Sequence, residues 1–280
     1  MYHTLLSWVY DTEDFETAIK HDVREYVNKM RGFFNLSFLD EKKKVEKLAD
    51  NYQKLRTDVF FFQEFSDLLL DHLRKSGDYW VETNHPKEGR PDTLIMVKKK
   101  RFPGQQPKNT EEELKKMSPE MAAHFDKIPK TSFMFLGNFI FLGVHLSSKA
   151  EKNAKEVDIM LEILPQLLII YPGSHIVCGG DVNSYYGPDR NAEFMKSFKM
   201  YPTLEKEHTT IKQRTKTQAQ WKKAELKVEE SKDKIMSTLK ILDGSIVLIN
   251  GDSTRSKSIL PSDNHPFDHF AVVTTLDTSN

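Results

Sequence analysis

The sequence predicts a mixed α/β sandwich, with sheet faces packed inside and helices outside. Apolar runs of strand length alternate with segments of helical periodicity. Some neighbouring strand-like runs are joined by a short turn, as in a hairpin, and others by a helix. Hydrophobic residues make up 38% of the 280 residues, enough for one large core, so we expect a single domain over residues 1–280.

Several classes of protein are excluded or disfavoured by composition. Lys and Arg number 41, and so do Asp and Glu, so the formal net charge of zero provides no global field that would attract nucleic acid or a membrane. Cys178 is the single cysteine, which excludes an intrachain disulfide, and its apolar surroundings predict a buried thiol. The first residues lack the basic stretch of a signal peptide, and the longest apolar run, 133–144, is too short to span a bilayer. We therefore expect an intracellular, cytoplasmic protein.

The first half of the chain reads as strands and helices in alternation. Its predicted strands cover residues 5–10, 58–62, 79–83 and 93–97, and its predicted helices cover 12–30, 41–55 and 68–73. After Asp58, the run 59–62 is continuously apolar, which is typical of a strand buried on both faces. The turn-rich segment NHPKEGRPD separates the last two strands.

The second half adds an insertion and a charged arm to the same pattern. The insertion covers about 101–131 and contains a charged helix from Thr110. A hairpin, 132–136 and 139–146, is followed by a helix at 149–170 and a strand at 175–178. The polar, helix-prone arm, about 205–240, carries a local excess of positive charge. Charge alone slightly favours a solvated helix pair, but the arm lies between two predicted site strands, so we expect it to lie beside the site and to help select a phosphate-rich substrate. The last predicted strands are 239–242, 246–249 and 270–274.

Polar clusters interrupt the apolar strands at their ends, where an α/β fold places its site. They are Gln63-Glu64, His145, the run 179–183 with Asp181 and Asn183, and Asp268-His269. Each cluster alone has an ordinary explanation, such as a solvated strand end, an Asx-turn or a core histidine. Together they supply oxygen ligands for a hard divalent cation and two imidazoles for proton transfer.

The order of five motifs resembles the deoxyribonuclease-I-like endonuclease/exonuclease/phosphatase superfamily over nearly the whole chain. The motifs are DVFFFQEFSD, FIFLGVHLSSK, HIVCGGDVNS, LDGSIV and LPSDNHPFDHFAVV. The resemblance implies a four-layer α/β (α+β) sandwich of two packed mixed β-sheets flanked by helices. It also implies hydrolysis of a phosphoester bond by in-line attack of water, with Mg²⁺ or Mn²⁺ as the cofactor.

The same resemblance implies a role for each polar residue on the metal and phosphate side. Glu64 is expected to be the principal metal ligand, and Asp268 is expected to assist it. His145 is expected to donate a hydrogen bond to a phosphate oxygen.

On the water side, the resemblance implies that Asp181 positions or deprotonates the attacking water. Asn183 is expected to hold both the phosphate and that aspartate. His269 is expected to act as a base or phosphate ligand and to be oriented by Asp243. How Asp181 and His269 divide the role of general base stays open.

Two residues depart from the family pattern. Val9 stands where the family usually has a metal-assisting Asn, and Phe267 replaces the usual serine of the C-terminal motif. The sequence therefore leaves an alternative, a catalytically weakened member that serves as a structural or binding subunit. Because six polar site residues are retained, we favour the enzyme, with a nucleic acid, a small phosphorylated molecule or a lipid headgroup as the phosphoester substrate.

Overall fold

A computed structural model of the chain describes residues 41–84, 91–116, 119, 128, 130–183, 198–201, 209–213, 227–248, 269 and 271–279. The chain divides into two compact units. The sandwich unit comprises residues 56–207, 231–246 and 272–280, and the second unit comprises 1–55, 208–230 and 247–271. The single domain expected over 1–280 stays a prediction.

The helices and strands alternate much as the periodicity predicts. In the described part of the chain, the helices are α1 (Glu41–Asn51), α2 (Asp67–Lys75), α3 (Thr110–Leu114) and α4 (Ala150–Ile170). The first strands are β1 (Val59–Gln63), β2 (Tyr79–Thr83), β3 (Thr93–Lys98), β4 (Thr131–Leu136), β5 (Phe139–His145) and β6 (His175–Asp181). The later strands are β7 (Lys199–Tyr201), β8 (Thr210–Gln213), β9 (Lys227–Glu230), β10 (Asp233–Ser237), β11 (Ile241–Val247) and β12 (Ala271–Leu276). Short 3₁₀ turns lie at Tyr52–Leu55 and Lys99–Arg101.

Two sheets form the centre of the sandwich unit. Strands β1, β3 and β2 form an antiparallel sheet in the order β1-β3-β2, and a larger sheet has the order β4-β5-β6-β10-β7. Strands β5 and β6 run parallel, which requires a crossover, and α4 supplies it. Strands β11 and β12 pair separately.

The two sheets pack face to face. Side chains from both sheets, among them Ile95, Val97, Phe141 and Val177, form one apolar cluster. On the other face of the larger sheet, Met160 and other α4 side chains pack into a second cluster. Helix α2 contacts β2 of the smaller sheet. The sandwich unit therefore has two packed sheets with helices against them, as the sequence predicts.

One glycine allows this close approach of the sheets. A Cβ atom at Gly179 in β6 would overlap the aromatic ring of Phe61 in β1. The glycine therefore leaves the room that the ring occupies, and Phe61 can pack closely against the larger sheet.

The segment before α3 covers the outer edge of the larger sheet. Two backbone carbonyl oxygens of edge strand β4 accept hydrogen bonds from this part of the chain. The Lys108 backbone N–H donates to the Phe135 carbonyl at 2.9 Å, and the Thr110 hydroxyl donates to the Phe133 carbonyl at 3.2 Å. Covering an edge in this way removes a template for pairing with another chain.

The arm at 205–240 differs from its helical prediction. Its described residues form the antiparallel pair β8–β9 of the second unit and the strand β10 of the larger sheet. Strand β10 is stabilised by pairing and packing, because Met236 lies opposite Cys178 of β6 and both side chains are buried in the core. Tertiary pairing here outweighs the helical propensity of a Lys- and Glu-rich segment.

Among the described residues, none of the helices has both the length and the apolar composition that a membrane-spanning segment needs.

Candidate functional site

Three strands of the larger sheet bring polar residues to one end of the sheet, where β5 and β6 finish and β10 begins. This end of the sheet is the site edge. In the parallel pair β5–β6, His145 lies opposite Asp181, and in the antiparallel pair β6–β10, Asp181 lies opposite Asp233. A carboxylate oxygen of Asp181 lies within 4.8 Å of one of Asp233. Strand register alone therefore places the imidazole of His145 beside one carboxylate, with a second carboxylate on the next strand.

Glu64 reaches this edge from the smaller sheet. It follows β1 directly, its φ of 52° turns the chain sharply out of the strand, and its backbone N–H donates to the Asp92 carbonyl at 2.9 Å. Its side chain is 76% exposed, and Oε1 lies 3.8 Å from Nε2 of His145. Since Oδ2 of Asp181 lies 4.0 Å from the same nitrogen, both carboxylates converge on one imidazole.

Asp92 holds the opposite side of the His145 ring. Nδ1 of His145 donates to Oδ2 of Asp92 at 2.7 Å, and Nζ of Lys130 lies 2.9 Å from the same oxygen. Burial opposes a charged imidazole, but the hydrogen bond and charge of Asp92 outweigh it and raise the pKa of His145. Burial likewise opposes ionisation of Asp92, but the hydrogen bonds from His145 and Lys130 lower the pKa of this carboxyl.

The loop before β3 fixes Asp92 through a buried amide. Oδ1 of Asn84 accepts hydrogen bonds from the backbone N–H groups of Asp92, at 2.8 Å, and Thr93, at 2.9 Å. Asn84 follows β2, so a single side chain ties the end of β2 to the start of β3. The result is a carboxylate held in place before any ligand arrives.

Asp181 is oriented by the turn that follows β6. The backbone N–H of Asn183 donates to Oδ1 of Asp181 at 2.8 Å, and Asn183 itself has a φ of 46°. The Asn183 side-chain Nδ2 donates to the Leu146 carbonyl at 2.9 Å. Asparagine tolerates this left-handed conformation better than most residues. In the described arrangement, Asn183 holds the aspartate through its backbone and the loop after β5 through its amide.

Gly180, the second of the two glycines before Asp181, lies where β6 passes close to β5. Its φ is 147°, and a Cβ atom at this position would collide with the backbone carbonyl of Val144 in β5. Only a glycine lets β6 approach β5 this closely at the edge where His145 and Asp181 lie.

The remaining predicted residues are less defined. Asp243 in β11 is exposed, and its Oδ1 accepts a hydrogen bond from the Gly244 backbone N–H at 2.7 Å. His269 is half-buried and belongs to the second unit. Val9, Phe267 and Asp268 lie outside the described residues. The expected roles of Asp243, Asp268 and His269 stay predictions.

Sequence reasoning missed three charged residues of the site, Asp92, Lys130 and Asp233. Asp92 ends a turn-rich segment just before a buried strand, and Lys130 stands just before β4. Asp233 begins a strand inside a segment whose composition favours helix. For Asp92 and Lys130, the signal that could have found them is a charged residue directly before an apolar strand, since such positions lie at the end of a strand.

The donor set at this edge fits a hard divalent cation. The oxygens of Glu64, Asp181 and Asp233 are the ligand type that Mg²⁺ and Mn²⁺ prefer. Glu64 offers an exposed carboxylate, and the neighbouring carboxylates of Asp181 and Asp233 concentrate negative charge. His145 is held by Asp92 through Nδ1, so its Nε2 is the ring nitrogen that faces the carboxylates of Glu64 and Asp181.

No protein family model and no curated protein sequence matches the chain. Its structure does resemble solved structures. A humanized TDP2 of D. rerio aligns over 86% of this chain and 95% of its own, with a TM-score of 0.56 and 15% identity. ANGEL2, a 2′,3′-cyclic phosphatase in complex with adenosine-2′,3′-vanadate, aligns over 81% of this chain and 83% of its own, with a TM-score of 0.54 and 15% identity. The human Nocturnin catalytic domain with bound sulfate aligns over 84% of this chain and 87% of its own, with a TM-score of 0.51 and 11% identity.

At such identities the likeness establishes the fold and leaves activity to be argued from the site. TDP2, ANGEL2 and Nocturnin all have the deoxyribonuclease-I-like sandwich. Their alignments extend over most of the chain, and the five motifs of the sequence point to the same architecture. The chain therefore has the fold of the deoxyribonuclease-I-like endonuclease/exonuclease/phosphatase superfamily.

Proposed function

We propose that this protein is a divalent-metal-dependent phosphoester hydrolase that uses in-line attack of water. The observation that carries the proposal is the convergence of Glu64 and Asp181 on Nε2 of one imidazole, whose Nδ1 is fixed by Asp92. A cationic donor beside two acidic groups suits a reaction in which one oxygen gains negative charge and a water loses a proton.

Glu64 is the proposed principal ligand of Mg²⁺ or Mn²⁺, with Asp268 as the assisting ligand. When bound, the cation polarises a phosphoryl oxygen and offsets the negative charge that develops on it. Glu64 suits this role because it is exposed at a strand end and its backbone is fixed by the Asp92 carbonyl.

His145 is the proposed donor to the phosphate. Its raised pKa favours the imidazolium, in which Nδ1–H is held by Asp92 and Nε2–H is available to a phosphate oxygen. A charged donor that is already oriented loses little entropy when the substrate binds.

Asp181 is the proposed acceptor of the proton from the attacking water. The N–H of Asn183 holds Oδ1, which leaves Oδ2 on the side of Nε2 of His145. Asn183 thus acts through Asp181 in this proposal, and its contact with phosphate is a further expectation. His269, oriented by Asp243, remains the second candidate for base or phosphate ligand.

The proposed substrate is a nucleic acid or nucleotide phosphoester. TDP2 of D. rerio has been crystallised with a single-strand DNA product, and ANGEL2 is a 2′,3′-cyclic phosphatase. These relatives support the nucleotide class over a phosphorylated small molecule of another kind or a lipid headgroup, which the assay below includes.

An assay panel tests the proposal. The protein is incubated with Mg²⁺ or Mn²⁺, or with a chelator, on single-stranded DNA, RNA, a 2′,3′-cyclic nucleotide, an inositol phosphate and sphingomyelin. Hydrolysis should need the metal, and Glu64→Gln and Asp181→Asn should each lower the rate by at least about 100-fold. The matched controls Glu151→Gln and Asp71→Asn change exposed carboxylates on α4 and α2 and should leave the rate unchanged.

Rates within a few-fold of wild type for Asp181→Asn would contradict the mechanism. If the wild type binds one of these compounds but hydrolyses none of them, the protein is instead the binding subunit that the departure at Val9 leaves open.

A further inference from the structure

We propose that Asn153 and Glu156 of α4 are positioning residues that set the spacing between His145 and Asp181. This inference rests on the proposed function, because it assigns residues that support the same site. Neither residue reaches the substrate edge. Both act through the two loops that carry the site residues, one after β5 and one after β6.

Glu156 and Asn153 together hold both backbone groups of Ser147. The Ser147 N–H donates to Oε2 of Glu156 at 2.6 Å, and the Ser147 carbonyl accepts from Nδ2 of Asn153 at 2.7 Å. Residues three apart lie on the same face of a helix. One face of α4 therefore fixes the position of the chain two residues after His145.

Asn153 also reaches the second loop. Its Nδ2 donates to the Val182 carbonyl at 2.8 Å, next to Asp181 in the chain. An amide nitrogen carries two N–H groups, so one atom can serve both carbonyls at once. Asn153 is 1% exposed, and a buried amide that lost these partners would be costly.

The same two loops are joined to each other. The Leu146 N–H donates to the Asp181 carbonyl at 2.9 Å, and Nδ2 of Asn183 donates to the Leu146 carbonyl at 2.9 Å. Asn153 thus completes a closed set of hydrogen bonds that starts and ends at the two site strands. A shift of the N-terminal half of α4 would move His145 and Asp181 relative to each other.

The chain offers a control on the same helix. Val157 is 1% exposed in the apolar cluster between α4 and the larger sheet, and its side chain has no polar atom. Val157→Ala should lower the melting temperature by removing packing. It leaves the hydrogen bonds of Ser147 and Val182 in place, so it separates loss of stability from loss of positioning.

The experiment compares Asn153→Asp, Asn153→Ser, Glu156→Ala, Glu156→Gln and Val157→Ala. Aspartate cannot donate to either carbonyl, so Asn153→Asp should lower kcat by about 10- to 100-fold and leave KM nearly unchanged. Serine has one donor and should give an intermediate loss. Glu156→Gln keeps an acceptor for the Ser147 N–H and should retain kcat, whereas Glu156→Ala should lose it.

A second measurement follows the His145 imidazole by NMR in each variant, without metal or substrate. The chemical shift of this resonance should differ from wild type in Asn153→Asp and Glu156→Ala, and it should equal wild type in Val157→Ala. All variants are compared at a temperature where they are folded. If kcat falls in Val157→Ala as much as in Asn153→Asp, or if Asn153→Asp keeps kcat and the resonance, the two residues only stabilise the fold. If the wild type hydrolyses no substrate, the proposed function fails, while the resonance still decides the positioning.

Discussion

Asp92 sets the orientation and charge of His145 from outside the predicted motifs. Its carboxylate is shared between the imidazole and Lys130, and its backbone is fixed by Asn84. A neutral group in its place would accept a weaker hydrogen bond from Nδ1 and would remove the negative charge that favours the imidazolium.

We expect Asp92→Asn to lower the hydrolysis rate by about 10- to 100-fold, the range found when the partner of a site histidine is removed. The rate is measured at saturating metal, with the fold checked by circular dichroism. Asp78→Asn, an exposed carboxylate before β2, is the control. A rate equal to wild type in Asp92→Asn would mean that His145 needs no orienting partner.

Cys178 is a residue whose surroundings determine its reactivity. It is 0% exposed, and burial raises the pKa of its thiol to about 12. The thiolate is the nucleophilic form, so the native protein should not react with an aromatic disulfide reagent at neutral pH. The thiol should react once the protein is unfolded in urea, and rapid labelling of the folded protein would contradict its burial.

At the scale of elements, strands were predicted better than the contacts between them. The runs at 79–83 and 93–97 became β2 and β3 almost as expected, and Glu64, His145 and Asp181 meet at one edge. These positions follow from local periodicity and from the rule that strand ends carry the site. Asp92 was missed because its partner lies far away in the chain, and no local pattern reports such a pairing.

Helix α3 carries a buried carboxylate that should make stability depend on pH. Burial opposes ionisation of Glu113, but the hydrogen bond from Lys116, at 2.5 Å, and the positive charges of Lys108 and Lys116 lower the pKa of this carboxyl. A lowered pKa in the folded state stabilises the protein above the pKa of the unfolded state. That stabilisation is lost as pH falls through the folded pKa.

We therefore expect Glu113→Gln to flatten the acid side of the stability profile. Thermal unfolding of the metal-free protein between about pH 6 and pH 3 should show a smaller loss in the variant than in wild type. Glu112→Gln, which changes an exposed neighbour on α3, should leave the slope as in wild type. Parallel profiles for wild type and Glu113→Gln would show that this carboxyl is not linked to folding.

At the scale of the whole sandwich unit, the packing of the two sheets depends on the absence of a side chain at Gly179. We expect Gly179→Ala to lower the free energy of unfolding by roughly 1–3 kcal/mol, because the new methyl group overlaps the Phe61 ring. Urea unfolding measures the change. In the double variant with Phe61→Leu, the smaller side chain should relieve the overlap, so the combined loss should be less than the sum of the single losses. Strictly additive losses would place the strain elsewhere.

The parallel pairing of β5 and β6 also has a consequence for when the site forms. His145 and Asp181 meet only after the chain has closed a loop that contains all of α4. Contacts of such long sequence separation form slowly, because the entropy of closing the loop is lost before the strands can pair. During synthesis, Glu64, Asp92 and His145 leave the ribosome before Asp181 and Asp233, so the nascent chain lacks the groups that complete the site. Assembly of the site is thus coupled to the late, long-range steps of folding, and the carboxylates of Asp181 and Asp233 join His145 only at the end of that process.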